Sequence, residues 1–303
     1  MFSFLEDIRK LDYVKNRFYF LSFSGLIIVI GIILFFAKGG FKQSIDFKGG
    51  TRLEVKVNDK IKIEDVRKVV SSTGVTKDVT YVGNPSENVF LISIGATEDY
   101  GKVEIVKKAL QGNFKEVIFR GEDTVGPRLS QEFFRNAIIL SLVVGVLILI
   151  YIGIRFDFIF SIGAIVALVH DLLISFTVIL ALDIEIDISI IAAILTILGY
   201  SVTDTVVVYD RIRENLTANV KSSEIEYIVN KSIRQVIVRS VLTSFTTLLI
   251  VISIILWGPQ TLKGFAITLL VGIISGTYSS LFVSAPIVIE LEKRKLLRQE
   301  QAL

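Results

Sequence analysis

Six long stretches of the chain are almost wholly apolar, and each is long enough to cross a lipid bilayer as a helix. About 20 apolar residues suffice, because a helix rises roughly 1.5 Å per residue through a hydrocarbon core of roughly 30 Å. The pattern therefore predicts an α-helical polytopic membrane protein with six transmembrane helices. The predicted spans are residues 18–37, 136–154, 158–182, 186–209, 240–257 and 262–291.

Residues 38–132, between the first and second predicted spans, have the composition of a soluble domain instead. Alternating apolar positions and turn residues predict strands and helices in the order β-α-β-β-α-β, which is the ferredoxin-like pattern. We therefore expect an α+β ferredoxin-like domain in this segment. The predicted strands are 51–57, 78–82, 88–95 and 115–125, and the predicted helices are 63–72 and 99–111.

Basic residues near the span ends predict the orientation. Lys and Arg cluster in a tail at 1–17, a connector at 210–239 and a second tail at 292–303. Because cytoplasmic loops carry an excess of Lys and Arg, we expect these three segments in the cytoplasm and the ferredoxin-like domain outside. The chain should then be a multi-pass protein of the cytoplasmic (inner) membrane with both termini cytoplasmic.

Two polar segments flank span four, and we expect them on opposite sides of the membrane. Asp210, Arg211 and Arg213 follow the span and are expected to act as a cytoplasmic anchor. The link before the span, DIEID at 183–187, is wholly acidic and is expected to be a plain external turn.

Composition narrows the chemistry. The 303 residues are 52% hydrophobic, with no cysteine, one histidine and a net charge of +3, and the mean hydropathy is +0.64. The absence of cysteine excludes disulfides and thiolate metal sites, and neither a P-loop nor a helix-opening G-x-G-x-x-G motif occurs. We therefore expect no enzymatic activity, no cofactor, no metal and no nucleic-acid partner.

Small and polar residues recur at a spacing of four along spans three, four and six. Residues four apart lie on one face of a helix, and small or hydroxyl-bearing side chains allow close helix contacts in a membrane. These faces are therefore expected to pack against neighbouring helices. The stripes are Gly163, Ala167, Asp171 and Ser175; Ala192, Thr196, Tyr200 and Asp204; and Gly272, Gly276, Ser280 and Ser284.

Asp204 is the residue that most needs explaining, because a carboxylate within a span costs roughly 2.5–3.5 kcal/mol. Burial favours the protonated form of a carboxyl group and a neighbouring arginine favours the ionised form. Arg239, at the start of span five, is expected at a similar depth, so an Asp204–Arg239 pair could couple ion passage to movement. A purely structural contact is the alternative for Asp204, and for Asp171 the two roles stay open.

Several segments resemble the SecD/SecF family of protein-export membrane proteins, within the resistance-nodulation-division superfamily, and its SecF-type members more than its SecD-type members. Span four carries GYSVTDTVVVYDRIREN, and the similarity covers nearly the whole chain in order and spacing. One departure is Ser130, with Gln131, where the family commonly continues with glycine. The other similar segments are SIDFKGGT (44–51), TVGPRLSQEF (124–133), VHDLLISF (169–176) and VRSVLTSFTTLL (238–249).

The resemblance implies that the chain assists late preprotein translocation across the cytoplasmic membrane, driven by the proton or sodium gradient. It implies SecD, the SecYEG channel and, indirectly, the SecA motor as partners, beside preproteins and the lipid bilayer. Asp204 takes the place of the family's span-four acid and Arg239 that of its span-five arginine. We expect Asp171, Tyr200 and Thr196 to complete the ion-coupling site. The expected coupling motif to the external domain comprises Asp46, Phe47, Gly49, Gly50, Gly126 and Pro127.

Two functions of other classes stay open at this point. The same superfamily plan serves exporters of small molecules or lipids, of which this chain would be one half. The chain could also be a non-transporting assembly factor, in which Asp204 and Arg239 are structural.

Overall fold

The computed structural model describes residues 12–58, 61–95, 101–216 and 220–302. The first part of the predicted 1–17 tail, the first two residues of the predicted helix 99–111, residues 217–219 of the connector and residue 303 lie outside the described residues.

The described chain is mostly helical, with one small sheet. Its helices are α1 (Arg17–Lys38), α2 (Ile45–Lys48), α3 (Ile63–Ser72), α4 (Gly101–Asn113), α5 (Pro127–Arg155), α6 (Phe158–Ala181), α7 (Ile188–Asn215), α8 (Ile225–Trp257), α9 (Lys263–Ser279) and α10 (Ala285–Ala302). Its strands are β1 (Gly50–Val57), β2 (Asp78–Tyr81), β3 (Val89–Gly95) and β4 (Val117–Val125). A π-helical turn, Ser280–Ser284, joins α9 to α10 without a break.

Within the described residues, six helical segments are long and apolar enough to cross a membrane, as the sequence predicts. They are α1, α5, α6, α7, α8 with the short turn before it, and the continuous segment from Gln260 to Gln301. Length and composition alone thus support a multi-pass membrane protein.

Four of these segments continue well beyond the predicted ends of their apolar runs: α5 begins at Pro127, the last segment ends at Ala302, and the two helices on either side of the predicted connector are also longer. α7 extends to Asn215 and α8 already begins at Ile225, so most of the 210–239 segment is helical. The extensions are amphipathic: Ile212, Ile225 and Val229 are fully buried in a common apolar cluster. Packing of this apolar face stabilises both helices beyond the predicted spans. The mean hydropathy of a window does not reveal such a face.

Close helix packing follows the small-residue stripes on α6 and on α9 with its π-turn, where every predicted stripe residue is buried. Gly272 of α9 lies directly against Ile197 of α7, and Gly276 lies against Ser201. The prediction for span four is wrong for the first two residues of the stripe, because Ala192 and Thr196 are exposed. The buried face of α7 is rotated by one residue and carries Ala193, Ile197 and Ser201 instead.

The segment between the first two spans contains a four-stranded antiparallel sheet in the order β2-β3-β1-β4. The central strands alternate: Leu53, Val55 and Val57 of β1 are buried while the residues between them are partly exposed. These side chains form one apolar core with α3 and α4, which supply Val66, Val70, Val103, Val106 and Leu110. The sheet is thus covered on one face by two helices.

Glycine is required at Gly272 by the close approach of α7. A Cβ there would collide with the Ile197 side chain, and overpacking a close-packed core costs about 1–3 kcal/mol. We therefore expect Gly272→Ala to lower the free energy of unfolding by that amount in graded denaturing detergent. The matched control is Gly199→Ala on α7, which meets nothing within 4 Å and should be neutral or slightly stabilising. Equal stability of the two variants would contradict this account.

Candidate functional site

Asp204 lies on the buried face of α7, with 9% of its surface exposed. Its Oδ2 atom accepts a hydrogen bond of 2.8 Å from the hydroxyl of Ser280, the first residue of the π-turn. Single π-turns inside α-helices occur frequently at functional sites. The carboxyl group is thus held between two helices by a neutral hydroxyl donor.

Asp204 and Arg239 line the same small cavity of about 70 Å³. The two residues, both in the described part of the chain, are not joined by an ion pair, so the direct contact considered above is not formed. The reason is the rotation of α8: Ser240 is the buried residue beside Asp204, whereas Arg239 is exposed. The cavity exceeds the volume that one water molecule needs, which is about 10–15 Å³ on this measure.

A larger cavity of about 430 Å³ lies beside the first one, toward the end of α7. Val207 and Arg239 line both cavities, and Asp210, Arg211 and Glu214 line the larger one. Arg239 therefore stands between Asp204 and the charged end of the helix.

Asp171 forms a second polar centre where α6, α7 and α9 meet, and it is completely buried. Its carboxylate accepts hydrogen bonds from Ser201 at 2.6 Å, from Ser275 at 2.6 Å and from Ser279 at 2.7 Å. The Nδ1 atom of His170 lies 3.0 Å from the same carboxylate. Ser279 and Ser280 are adjacent, so neighbouring residues contact Asp171 and Asp204.

Of the other two residues expected at the ion-coupling site, one lines the Asp204 cavity and the other does not. Tyr200 lines the Asp204 cavity and donates a hydrogen bond of 2.9 Å to Ser244 of α8. Thr196 is exposed, and its hydroxyl donates to the carbonyl of Ala192 in its own helix. The structure therefore places Tyr200 at the site and Thr196 away from it.

The coupling motif is compact. Gly49 and Gly50 have φ angles of 73° and 139°, in the region that side-chain-bearing residues avoid. Phe47 packs edge-on against Phe134 of α5, with ring centroids 5.9 Å apart, and Asp46 accepts a hydrogen bond of 3.3 Å from the Ile188 N–H of α7. The motif therefore touches two of the long helices.

Gly126 and Pro127 of the same predicted motif begin α5, with Gly126 at the N-cap and Pro127 in the first helical position. Proline suits that position because the missing N–H would have no helical partner. Ser130, the departure from the family pattern, is buried and donates to the Pro127 carbonyl at 3.0 Å.

The anchor residues tie the ends of several helices together. Arg155 of α5 donates to both carboxylate oxygens of Asp210 at 2.6 Å. Arg211 donates to Gln235 of α8 at 2.7 Å, and Arg213 donates to the Arg155 carbonyl at 3.3 Å.

The acidic link 183–187 is not a plain turn, and that expectation is wrong. Glu185 forms ion pairs with Lys42 at 2.7 Å and with Arg52 at 2.8 Å, and Ile186 pairs with Gln43 as in a parallel sheet. The sequence reasoning therefore missed Glu185, Lys42 and Arg52, and also the serine partners of both carboxylates. Ser275, Ser279 and Ser280 lie on or beside the small-residue stripe of α9 and its π-turn, whereas Ser201 follows Tyr200 of the stripe on α7.

Two family models match the chain. Residues 105–294 match "Protein export membrane protein SecD/SecF, C-terminal", and residues 34–60 match the "SecD/SecF GG Motif". The chain belongs to the SecD/SecF family of protein-export membrane proteins. The motif of Asp46, Gly49 and Gly50 and the two buried carboxylates lie within the matched ranges of this family.

Individual members of the SecD/SecF family are similar over most of the chain. The protein translocase subunit SecF of Thermodesulfovibrio yellowstonii is 37% identical over 295 residues, covering 96% of this chain and 97% of the relative. The protein translocase subunit SecDF of Bacillus subtilis is 33% identical over 95% of this chain.

A crystal structure of SecDF from Thermus thermophilus, a translocon-associated membrane protein, superposes with a TM-score of 0.82 at 33% identity, covering 93% of this chain. This chain spans 38% of that SecDF chain and 39% of the Bacillus protein. The similarity thus concerns one part of each SecDF protein.

Proposed function

We propose that this chain is a SecF-type subunit of the protein-export machinery, which uses a transmembrane proton or sodium gradient to assist late preprotein translocation. In this proposal Asp204 is the coupling acid and Arg239 its basic counterpart. The chain is then not an enzyme and needs no cofactor, because the ion gradient supplies the free energy.

The single observation that carries the proposal is the placement of Asp204. Its carboxyl group is buried and accepts a hydrogen bond from the neutral hydroxyl of Ser280. It also shares a cavity with Arg239, with which it forms no ion pair in the described structure. Ionisable groups inside a membrane protein are costly and mark ion pathways in pumps and transporters. A carboxyl group with these neighbours can be neutral against Ser280 or ionised toward Arg239.

The two neighbouring cavities, which share Val207 and Arg239, support a direction for ion release. An ion that leaves Asp204 would pass Arg239 and Val207 and reach the larger cavity beside Asp210. Protonation of Asp204 from the opposite side would weaken its attraction to Arg239 and let α7 and α8 repack. Release past Arg239 would then restore the starting arrangement.

The proposed topology places both termini and the Asp210 end of α7 in the cytoplasm, with the sheet domain outside the cytoplasmic membrane. The Lys and Arg excess of the tails and of the segment after α7 supports this orientation. The β-α-β-β-α-β order and the antiparallel strand order β2-β3-β1-β4 support a ferredoxin-like external domain.

The proposed partners are SecD, the SecYEG channel, SecA indirectly and the preprotein in transit. The SecDF relatives support SecD in particular, because the part similar to this chain is there covalently joined to the remainder. The exposed apolar faces of α1 and α5 fit contact with lipid or with such a partner.

The test is release of a labelled preprotein from inverted vesicles that contain the complete machinery. After ATP-driven entry, we expect an imposed proton or sodium gradient to accelerate release in vesicles with this chain and to have no effect in vesicles without it. Acceleration that is equal in both would contradict the proposal. Altered sensitivity to small toxic molecules with unchanged release would favour an exporter, and failure of the complex to assemble would favour an assembly factor.

A further inference from the structure

The link between α6 and α7 is bound to the segment that leads from α1 into the sheet domain. The Ile186 N–H donates to the Lys42 carbonyl at 2.7 Å, and the Ser44 N–H donates to the Ile186 carbonyl at 3.0 Å. Gln43 and Ile186 are the paired residues between these two bonds. The link is therefore an added strand-like partner of the entry segment.

Charged side chains extend the contact into the sheet. Glu185 bonds Lys42 through one carboxylate oxygen and Arg52 of β1 through the other. Lys42 also lies 3.4 Å from Asp78 of β2. These side chains are between 21% and 40% exposed, so solvent screens them less than ordinary surface pairs.

Lys42 keeps its charge in this setting. Partial burial lowers the pKa of Lys42, but the carboxylates of Glu185 and Asp78 outweigh burial and hold the pKa above its ordinary value. The Lys42 side chain therefore stays protonated throughout the neutral range.

The same region holds the first turn of α7. Asp187 accepts a hydrogen bond of 2.8 Å from the Ile190 N–H, and Asp46 accepts one of 3.3 Å from the Ile188 N–H. Carboxylates at this position also complement the helix dipole. From Ile188 the helix continues without a break to Asp204, a distance of about 24 Å at 1.5 Å per residue.

We propose that Lys42, Gln43, Arg52, Glu185 and Ile186 form a loop latch that stays closed and fixes the sheet domain to the first turn of α7. Glu185 is its central positioning residue, because its two carboxylate oxygens bond Lys42 of the entry segment and Arg52 of β1. Movement of α7 at Asp204 then reaches the sheet domain through the latch, beside the connections along α1 and α5. The transmission of movement through the latch rests on the proposed function. The closed state of the latch does not depend on it.

Closure is tested by disulfide formation, for which the cysteine-free chain offers no background. Paired strands lie about 4.8 Å apart, within the separation of about 4.4–6.8 Å that a disulfide spans between Cα atoms. In the complete complex, Gln43→Cys with Ile186→Cys should cross-link in high yield under mild oxidation. Adding Glu185→Lys should slow cross-linking several-fold, and adding Glu87→Lys, an exposed charge reversal on the same domain, should not. Slow cross-linking without Glu185→Lys would overturn a closed latch.

Coupling is tested by gradient-stimulated preprotein release. Glu185→Lys should reduce the stimulation several-fold, Glu87→Lys should leave it unchanged, and the engineered disulfide should restore it in the Glu185→Lys background until reductant is added. Full stimulation in Glu185→Lys would overturn the coupling role. Loss of stimulation when the disulfide forms in otherwise wild-type protein would show that the contact must open. If wild-type protein itself shows no stimulation, the proposed function fails, while the cross-linking result still decides whether the latch is closed.

Discussion

Asp204→Asn is expected to abolish the gradient-stimulated part of preprotein release and to leave the gradient-free rate unchanged. Asparagine has nearly the shape of aspartate, and its carbonyl oxygen can still accept the Ser280 hydrogen bond. It cannot gain or lose a proton, and it brings no charge toward Arg239. The measurement compares release from inverted vesicles with and without an imposed gradient.

The matched control for this prediction is Thr196→Val. Thr196 lies on the same helix and belongs to the same polar stripe in the sequence, but its hydroxyl bonds only its own backbone. We expect Thr196→Val to keep the full gradient response. A gradient response that survives in fully assembled Asp204→Asn would identify Asp204 as a packing contact and end its proposed role.

Asp171→Ala is expected to destabilise the protein by about 2–5 kcal/mol. The substitution removes the carboxylate that accepts from the buried hydroxyls of Ser201, Ser275 and Ser279. Ser279 keeps only its longer bond to the Gly276 carbonyl, at 3.2 Å. Polar contacts between helices in membranes are worth about 0.6 kcal/mol on average and up to about 1.7 kcal/mol each, and three are lost together. Unfolding of the purified protein in graded denaturing detergent measures the difference.

Asp171→Asn is the informative companion, because its amide oxygen retains acceptor capacity while its NH₂ group faces hydroxyl donors. We expect it to lose about half as much stability as Asp171→Ala. If Asp171→Ala unfolds at the same detergent concentration as the wild type, the serine contacts contribute nothing to stability. If Asp171→Asn is stable but loses the gradient response, Asp171 belongs to ion coupling and not to packing alone.

The spans and the sheet domain could be predicted because each depends on a strong local pattern. Apolar runs mark the spans, and alternation marks strands such as β1. The extensions of α7 and α8 escaped prediction because Ile212, Ile225 and Val229 bury a narrow apolar stripe within charged surroundings. Average hydropathy is insensitive to such a stripe, whereas tertiary packing depends on it.

The identity of the buried acids was predictable, but their partners were not. A carboxylate inside an apolar run is conspicuous in the sequence, so Asp171 and Asp204 stand out at once. Which hydroxyl meets which acid depends on the rotation of each helix about its axis, and one residue of rotation separates Thr196 from Ile197 on α7. On α8, a rotation of one residue likewise places Ser240 rather than Arg239 on the buried face beside Asp204.

The error over residues 183–187 has a different origin. Acidic turns between spans are usually solvated, and nothing local in DIEID distinguishes it from one. Lys42 and Arg52 are more than 130 positions away from Glu185 along the chain. Only the fold brings these charges together, so single-sequence reasoning lacks the information.

The centre at Asp171 also restricts how this protein can change over generations. The acid and its three serine donors come from three helices and bond one another in a buried site. Replacing the acid alone strands the hydroxyls, and replacing one serine alone leaves a buried carboxylate with fewer donors, so each single step is penalised. Contacting residues of this kind have non-additive effects. Descendants should therefore retain all four residues or exchange them as a set, and an apolar centre of equal stability is separated from this one by less stable intermediates.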